Sequence, residues 1–329
     1  MSKTTKIWIV TAASFVLVGG IIFGGVMSML KWDFTKLSTV RYENNEYEIL
    51  EDYQHISIIT NTADIVFIPS EDPTTSVACY EQKGNLHSVS VKDGTLEIEI
   101  VDTRKWYEYI GIHFGTPKIT VYIPQGEYGK LSVKANTGDV EIPEVFKFRS
   151  IDILESTGNV KNYASALEDV KIKTTTGSIC VEDASAGSLD LTASTGKVTV
   201  SGVICEGDIA VGVSTGETYL SNIRCKNFTS SGNTGDITLK NVVAEETFFI
   251  KRSTGNVKFD GSDAAEIFVE TETGDVRGGL LSDKIFIAQT DTGSVNVPKT
   301  ATGGKCEITT ITGDINISIP DNLTFTARQ

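Results

Sequence analysis

ETETGDVRG, residues 270–278, contains an ordinary turn signal, Thr273-Gly274-Asp275, between polar flanks. Its weight comes from recurrence. Ten Thr-Gly pairs fall in phase: Thr137-Gly138, Thr157-Gly158, Thr176-Gly177, Thr195-Gly196, Thr215-Gly216, Thr234-Gly235, Thr254-Gly255, Thr273-Gly274, Thr292-Gly293 and Thr312-Gly313, at intervals of 19 or 20 residues. A fixed period near 20 marks a stacked-repeat architecture. Two residues after each glycine stand Val140, Val160, Ile179, Val198, Thr218, Ile237, Val257, Val276, Val295 and Ile315, all β-branched, as strands prefer. Seven before it stand Leu131, Ile151, Val170, Leu189, Ile209, Phe228, Phe248, Ile267, Phe286 and Cys306. Five before it stand Val133, Ile153, Ile172, Leu191, Val211, Ser230, Ile250, Val269, Ala288 and Ile308. Apolar residues at every second position read as a strand with one buried face.

Each repeat is therefore a strand, a Thr-Gly corner, a strand and a second turn. The buried parity changes across the glycine, which a corner explains. Glycine reaches positive φ without a Cβ clash. The Asp, Asn or Ser that often follows suits a local backbone bond, and so does the threonine hydroxyl. A chain of hairpins would give antiparallel neighbours, whereas a β-solenoid stacks equivalent strands in parallel, like over like. The uniform columns select an all-β parallel solenoid of about ten coils. Ten coils stacked in chain order give a rod of about 43 Å at about 4.8 Å per step. The general crossover preference makes the expected hand right-handed.

The amino terminus differs in kind. Residues 1–6 carry Lys3 and Lys6, and residues 7–30, IWIVTAASFVLVGGIIFGGVMSML, hold no charge. That run exceeds the roughly 20 residues needed to span a bilayer. It is longer than a signal-peptide core and lacks a small-x-small cleavage site at its end. It reads as an uncleaved, single-pass transmembrane signal anchor, with residues 1–6 as a cytoplasmic tail and the remainder outside the cell membrane. Residues 31–130 read as a β-rich cap with eroded coils, and residues 131–329 as the solenoid. Within the cap, Thr62-Ala63-Asp64-Ile65 stands in for Thr-Gly-Asp-Val, and Asp93-Gly94 between two alternating runs signals a hairpin.

The net charge is −14, and −16 once Lys3 and Lys6 are set aside. An acidic surface excludes nucleic acid as a partner and admits cationic ones. Five cysteines at uneven spacing, with no C-x-x-C, give no metal pattern, and no cofactor motif is present. Cys205 and Cys225 lie nine residues after a repeat glycine, in a column shared with Leu167, Ala186, Ala244 and Ala264. They are expected to stack in the core, either as two thiols or as a bridge, while Cys180 falls on the outward parity. Trp106, Tyr107, Tyr109 and Phe114, in RKWYEYIGIHF, form an aromatic cluster suited to packing the cap or to contacting a ligand or membrane.

The short anchor, NTADIVFIPS, KDGTLEI, ITVYIPQGEYGKLSV and the serial TGDV together resemble the bacterial "putative adhesin" family, over about residues 40–325. The family is a β-strand-repeat domain of unknown function with relatives in Lia-type envelope-stress systems. The resemblance implies a right-handed β-helix and supplies no catalytic residues.

An enzyme would need acids and bases converging in a groove, as in the β-helix enzymes that act on polysaccharides. Intervals of 19 or 20 leave no long loop to wall a cleft, and the column Asp139, Asn159, Ser178, Lys197, Glu217, Asp236 reads as a mixed solvated edge. An ice-binding face would need Thr-x-Thr stacked at the repeat Thr-Gly, which occurs there only at 174–176, 271–273, 290–292 and 310–312. Tandem calcium-binding repeats are missing. The expectation is a non-catalytic, membrane-anchored surface rod that binds an extracellular protein, a glycan or a cationic peptide, in adhesion or envelope stress.

Overall fold

The computed structural model describes residues 2–38, 40–106 and 115–320. The helix Lys3–Met29 opens on Ser2, whose hydroxyl accepts the Thr5 N–H at 3.1 Å. Its apolar side chains are exposed, with no protein packed against them over most of the length. It is one N-terminal helix long and apolar enough, by length and composition, to cross a membrane.

The rest is a parallel β-solenoid of about ten turns, extended at its amino-terminal end. Equivalent strands pair in register, so that Leu131, Ile151, Val170, Leu189 and Ile209 lie over one another. The inward columns named from the sequence are buried from the Gly138 coil to the Gly274 coil. Together they form one continuous core, in which Phe228, Phe248 and Phe259 contact one another.

The corner is set by backbone approach. The repeat glycines have φ between +134° and +158°. A Cβ on Gly158 would sit 1.8 Å from the Gly138 carbonyl oxygen, and the same clash recurs up the stack. Each corner glycine N–H donates to the threonine carbonyl of the next coil, as Gly138 does to Thr157 at 3.1 Å. Contrary to the expectation from the sequence, the residue after the glycine does not bond locally. It reaches the next coil: Asp139 Oδ1 accepts the Asn159 N–H at 2.8 Å, and Asn159 Oδ1 accepts that of Ser178 at 3.0 Å. The hydroxyl that bonds the corner is likewise not that of the Thr-Gly threonine. It belongs to the inward residue three before the glycine, as in Thr310 to the Gly274 carbonyl at 3.2 Å.

At both ends the coils leave chain order. The Gly274 coil does not stack on the Gly293 coil that follows it. Ile267 pairs with Cys306, and Cys306 with Phe286, so the Gly313 coil lies between them. The corner ladder agrees: Asp275 Oδ1 accepts the Asp314 N–H at 3.0 Å, and Asp314 Oδ1 accepts that of Ser294 at 2.7 Å. The Gly313 coil brings Ile308, Ile315 and Ile317 to the buried place. The Gly293 coil brings Ala288 and Val295, and its Pro298 has no N–H to offer a further strand. Burying the more apolar coil is favourable. Phe286 and Ala288 are consequently half-buried and Val295 exposed, against the expectation that all three are core. Lys284, at the start of this outermost coil, is fixed by a buried ion pair to Asp263 at 2.8 Å.

The amino-terminal end shows the same inversion. His55–Thr62 stacks between Glu127–Thr137 on one side and Thr95–Asp102 on the other. Lys118–Pro124 stacks in the same way on Asp64–Ser70. Two further coils thus extend the rod to about 53 Å. Antiparallel strands then close it: Asn85–Lys92 beside Thr95–Asp102, joined at Asp93-Gly94, and Thr75–Gln82 beside Lys118–Pro124, flanked by Tyr42–Ile49.

The inverted order is testable with paired cysteines. Arg277→Cys with Asn316→Cys, which lie on paired positions, is expected to cross-link efficiently with a short thiol reagent. Arg277→Cys with Asn296→Cys, two steps apart at about 9.6 Å, is expected to cross-link poorly. The reverse preference, read on a denaturing gel after proteolysis, would restore chain order.

Candidate functional site

The most regular exposed feature is a ridge along the corner. Its threonines, from Thr137 to Thr312, are all exposed, and Thr62, paired with Thr137, extends the row. They point outward because the chain bends there between two inward positions, three before and two after the glycine. On one side run Asn136, Ser156, Thr175, Ser194 and Ser214, and on the other Asp139, Asn159 and Ser178. The ridge is a row of threonine hydroxyls about 4.8 Å apart along the rod, flanked mostly by hydroxyl, amide and carboxylate groups, with Lys197 and Ile311 among them.

The Thr-x-Thr pairs do not form an outward array. Thr174, Thr271 and Thr310, three before the glycine, are buried. That inward column also carries two charges the sequence reading passed over. Glu155 is buried; its Oε1 accepts the Thr157 N–H at 3.3 Å, while Oε2 has no partner. Arg252 is buried without a carboxylate. Its guanidinium donates to the Val213 carbonyl at 3.1 Å, Thr218 Oγ1 at 3.0 Å and Ser230 Oγ at 3.2 Å. Gly232 makes the room, since a Cβ there would meet Arg252 Nη1 at 1.7 Å. Parity alone could have flagged both, because they occupy the phase of Ala135 and Ala193.

The structure places Cys205 and Cys225 in adjacent coils, both buried and both free thiols. Leu167 does not share their column; it is 71% exposed and Ala166 takes the inward place. Cys180 is half-buried, with its thiol 3.2 Å from Glu182 Oε1. Trp106 is 77% exposed, and Tyr107, Tyr109 and Phe114 lie outside the described residues. Cys79, Glu81 and His87 meet inside the cap, which their spacing across a hairpin concealed.

Outward charges pair between neighbouring coils: Arg149 with Glu168 at 2.9 Å, Lys197 with Glu217 at 3.7 Å and Lys251 with Glu270 at 2.9 Å. Such exposed pairs contribute about 0–1 kcal/mol each.

Two stretches, residues 53–216 and 205–328, match the toastrack DUF4097 family and between them cover most of the rod. The chain belongs to that family. No curated protein matches it. Among solved structures, the toastrack chain is similar to a "putative adhesin" from Bacteroides fragilis, with 19% identity, TM-score 0.36, 84% of this chain and 97% of that one. It is also similar to one from Parabacteroides distasonis, with 13% identity, TM-score 0.45, 84% and 98%. A third, a "putative lipid binding protein" from Parabacteroides distasonis, gives 14%, TM-score 0.38, 85% and 98%.

Two groups of the toastrack rod respond to pH. Burial pushes the Glu155 carboxyl from about 4.5 up to about 7. The folded state therefore favours the protonated acid. Its contribution is complete below about pH 4.5 and is lost as pH rises through about 7. Denaturant midpoints are expected to fall across that window, and Glu155→Gln to flatten the fall. An unchanged slope in the variant would remove Glu155 as its source. Burial, with Glu182 beside it, raises the Cys180 thiol to about 11. Alkylation of Cys180 is expected to speed about tenfold per pH unit from neutrality upward, with Cys205 and Cys225 unlabelled in the folded protein. Mass spectrometry showing Cys205 labelled before Cys180 would contradict the faces assigned here.

Proposed function

We propose that the chain is a non-catalytic binding rod, anchored in the cell membrane by its amino-terminal helix with the solenoid outside, and that the threonine ridge is its contact surface. The observation that carries this reading is the unbroken exposed row that runs from Thr62 through Thr137 to Thr273, Thr312 and Thr292, continuous through the inverted coil order at the carboxyl-terminal end. A repeating row of hydroxyls and amides suits an extended, repeating partner, and a glycan or wall polymer has that form. Each contact is weak, and many in register add. The acids beside the row, Asp139, Asp236 and Asp275, together with the excess of acidic over basic residues, also favour cationic partners. Non-catalytic action is supported by the outward charges, which neutralise one another from coil to coil and do not converge on a groove.

The full-length protein in detergent, presented with cell-wall polysaccharide and separately with a cationic peptide, tests the reading. Thr157→Lys, Thr176→Lys and Thr195→Lys together are expected to weaken polysaccharide binding at least about tenfold and leave the fold intact, since exposed substitutions rarely change stability. Thr199→Lys with Thr238→Lys, on the next side of the coil, is expected to leave binding unchanged. Equal effects from both sets would sink the ridge as the contact surface. Loss of binding to the cationic peptide alone as salt rises would assign that partner to charge. Protease added to intact cells is expected to remove the solenoid; full protection would invert the orientation.

A further inference from the structure

The cap buries three groups that could have been apolar. Thr75–Gln82 turns Val77, Cys79 and Glu81 inward, and Asn85–Lys92 turns His87 inward against them. Cys79, Glu81 and His87 are all almost fully buried, and their ligand-type atoms lie within 4.8 Å of one another. Burying a carboxylate in a small cap is costly unless it is compensated.

The surrounding bonds converge two of these donors on one point. Asn45 Nδ2 donates to Glu81 Oε1 at 2.7 Å, which fixes the carboxylate and turns Oε2 inward. His87 Nε2 lies 2.9 Å from Thr60 Oγ1, which fixes the imidazole and turns Nδ1 inward. Nδ1 and Oε2 are then 2.7 Å apart, Oε2 also accepts the His87 backbone N–H at 2.7 Å, and the Cys79 thiol lies beside them. Ligands held through their remaining polar atom by an outer hydrogen bond are the usual arrangement around a metal. A thiol, an imidazole and a carboxylate together suit a borderline-soft dication.

We propose that Cys79, Glu81 and His87 form a three-ligand site for a divalent transition metal, with zinc the best match, that fastens the antiparallel cap to the first coil. Glu81 gives Oε2 and His87 gives Nδ1; the proton these two atoms share at 2.7 Å is displaced by the metal, which leaves the imidazole neutral with its proton on Nε2, donated to Thr60. Cys79 gives its sulfur as thiolate, and its proton leaves to solvent when the metal binds. Three protein donors leave the fourth tetrahedral position to water or another donor. The metal does for the cap what a disulfide does in other small surface modules. It bridges the strand Thr75–Gln82 to Asn85–Lys92, and Thr60 ties the site to the solenoid. The site is independent of the ridge and of any partner bound there.

The test uses full-length protein in detergent, stripped with chelator and titrated with Co(II) and then Zn(II). One equivalent of Co(II) is expected to give a thiolate-to-cobalt charge-transfer band, which Zn(II) removes. Cys79→Ser is expected to abolish the band. Thr60→Val is expected to weaken binding about 10–100-fold, since it removes only the outer bond. In the zinc-loaded native protein, X-ray absorption is expected to show one sulfur at about 2.3 Å with nitrogen and oxygen at about 2.0–2.2 Å. This measurement needs no variant, so it decides the matter even where Cys79→Ser does not fold. A shell of nitrogen and oxygen alone, no charge-transfer band in the native protein, or the same band in Cys79→Ser would each overturn the site.

Discussion

Everything in the rod depends on how closely one corner lies on the next. The glycine carbonyl of one coil occupies the space that a side chain on the next glycine would fill. A single alanine in that column would wedge two coils apart and break the ladder on both sides. Close approach also draws the Asp or Asn after the glycine within reach of the next backbone N–H. The corner thus combines a close backbone approach with a hydrogen-bond ladder. The sole substitution in the column, Ala63, sits in the second coil from the amino-terminal end. Gly138 stacks on it and remains the glycine, since a Cβ there would meet the Ala63 carbonyl at 2.1 Å.

A stack of near-identical coils has two ends and no internal instruction about where to stop. The protein handles each end with the same inversion: one coil is carried past its neighbour and laid on the outside. At the amino-terminal end antiparallel strands then finish the sheet, which avoids a bare parallel edge. At the other end the outermost coil is the less apolar one, and Pro298 falls in it. A buried Lys284–Asp263 pair holds that coil in place. Such a pair adds little net stability but penalises the alternatives that would break it.

The interior is less uniform than the repeat suggests. Positions three before the glycine hold alanine, threonine, Glu155 and Arg252, and the chain accommodates each by local means. Arg252 lies against carbonyl and hydroxyl oxygens under Gly232, and burial lowers its pKa to about 10. The inside varies from coil to coil, while the outer threonine row stays unbroken. A surface kept regular over an adjustable core is consistent with a rod whose outside does the binding.

The solenoid, its corners and most of its inward columns are legible in the chain because they depend on a period of two within strands and of 19 or 20 between coils, and the amino-terminal helix is legible from its uncharged apolar run. Residues such as Ile172 and Val198 carry that signal locally. It could not order the coils. The coils of Gly274, Gly293 and Gly313 share the same period, and like columns stack in any order, so chain order was the default and it failed at both ends. Packing sets the order, and at the carboxyl-terminal end it buries the more apolar coil. The same holds for the ridge and the cap. Thr-Gly gave the positions of the threonines, but folding decided which threonine faces water. Cys79, Glu81 and His87 are separated in sequence by a turn, and Thr60 by a whole strand pair. Their meeting depends on strand pairing across the cap, which no local pattern encodes.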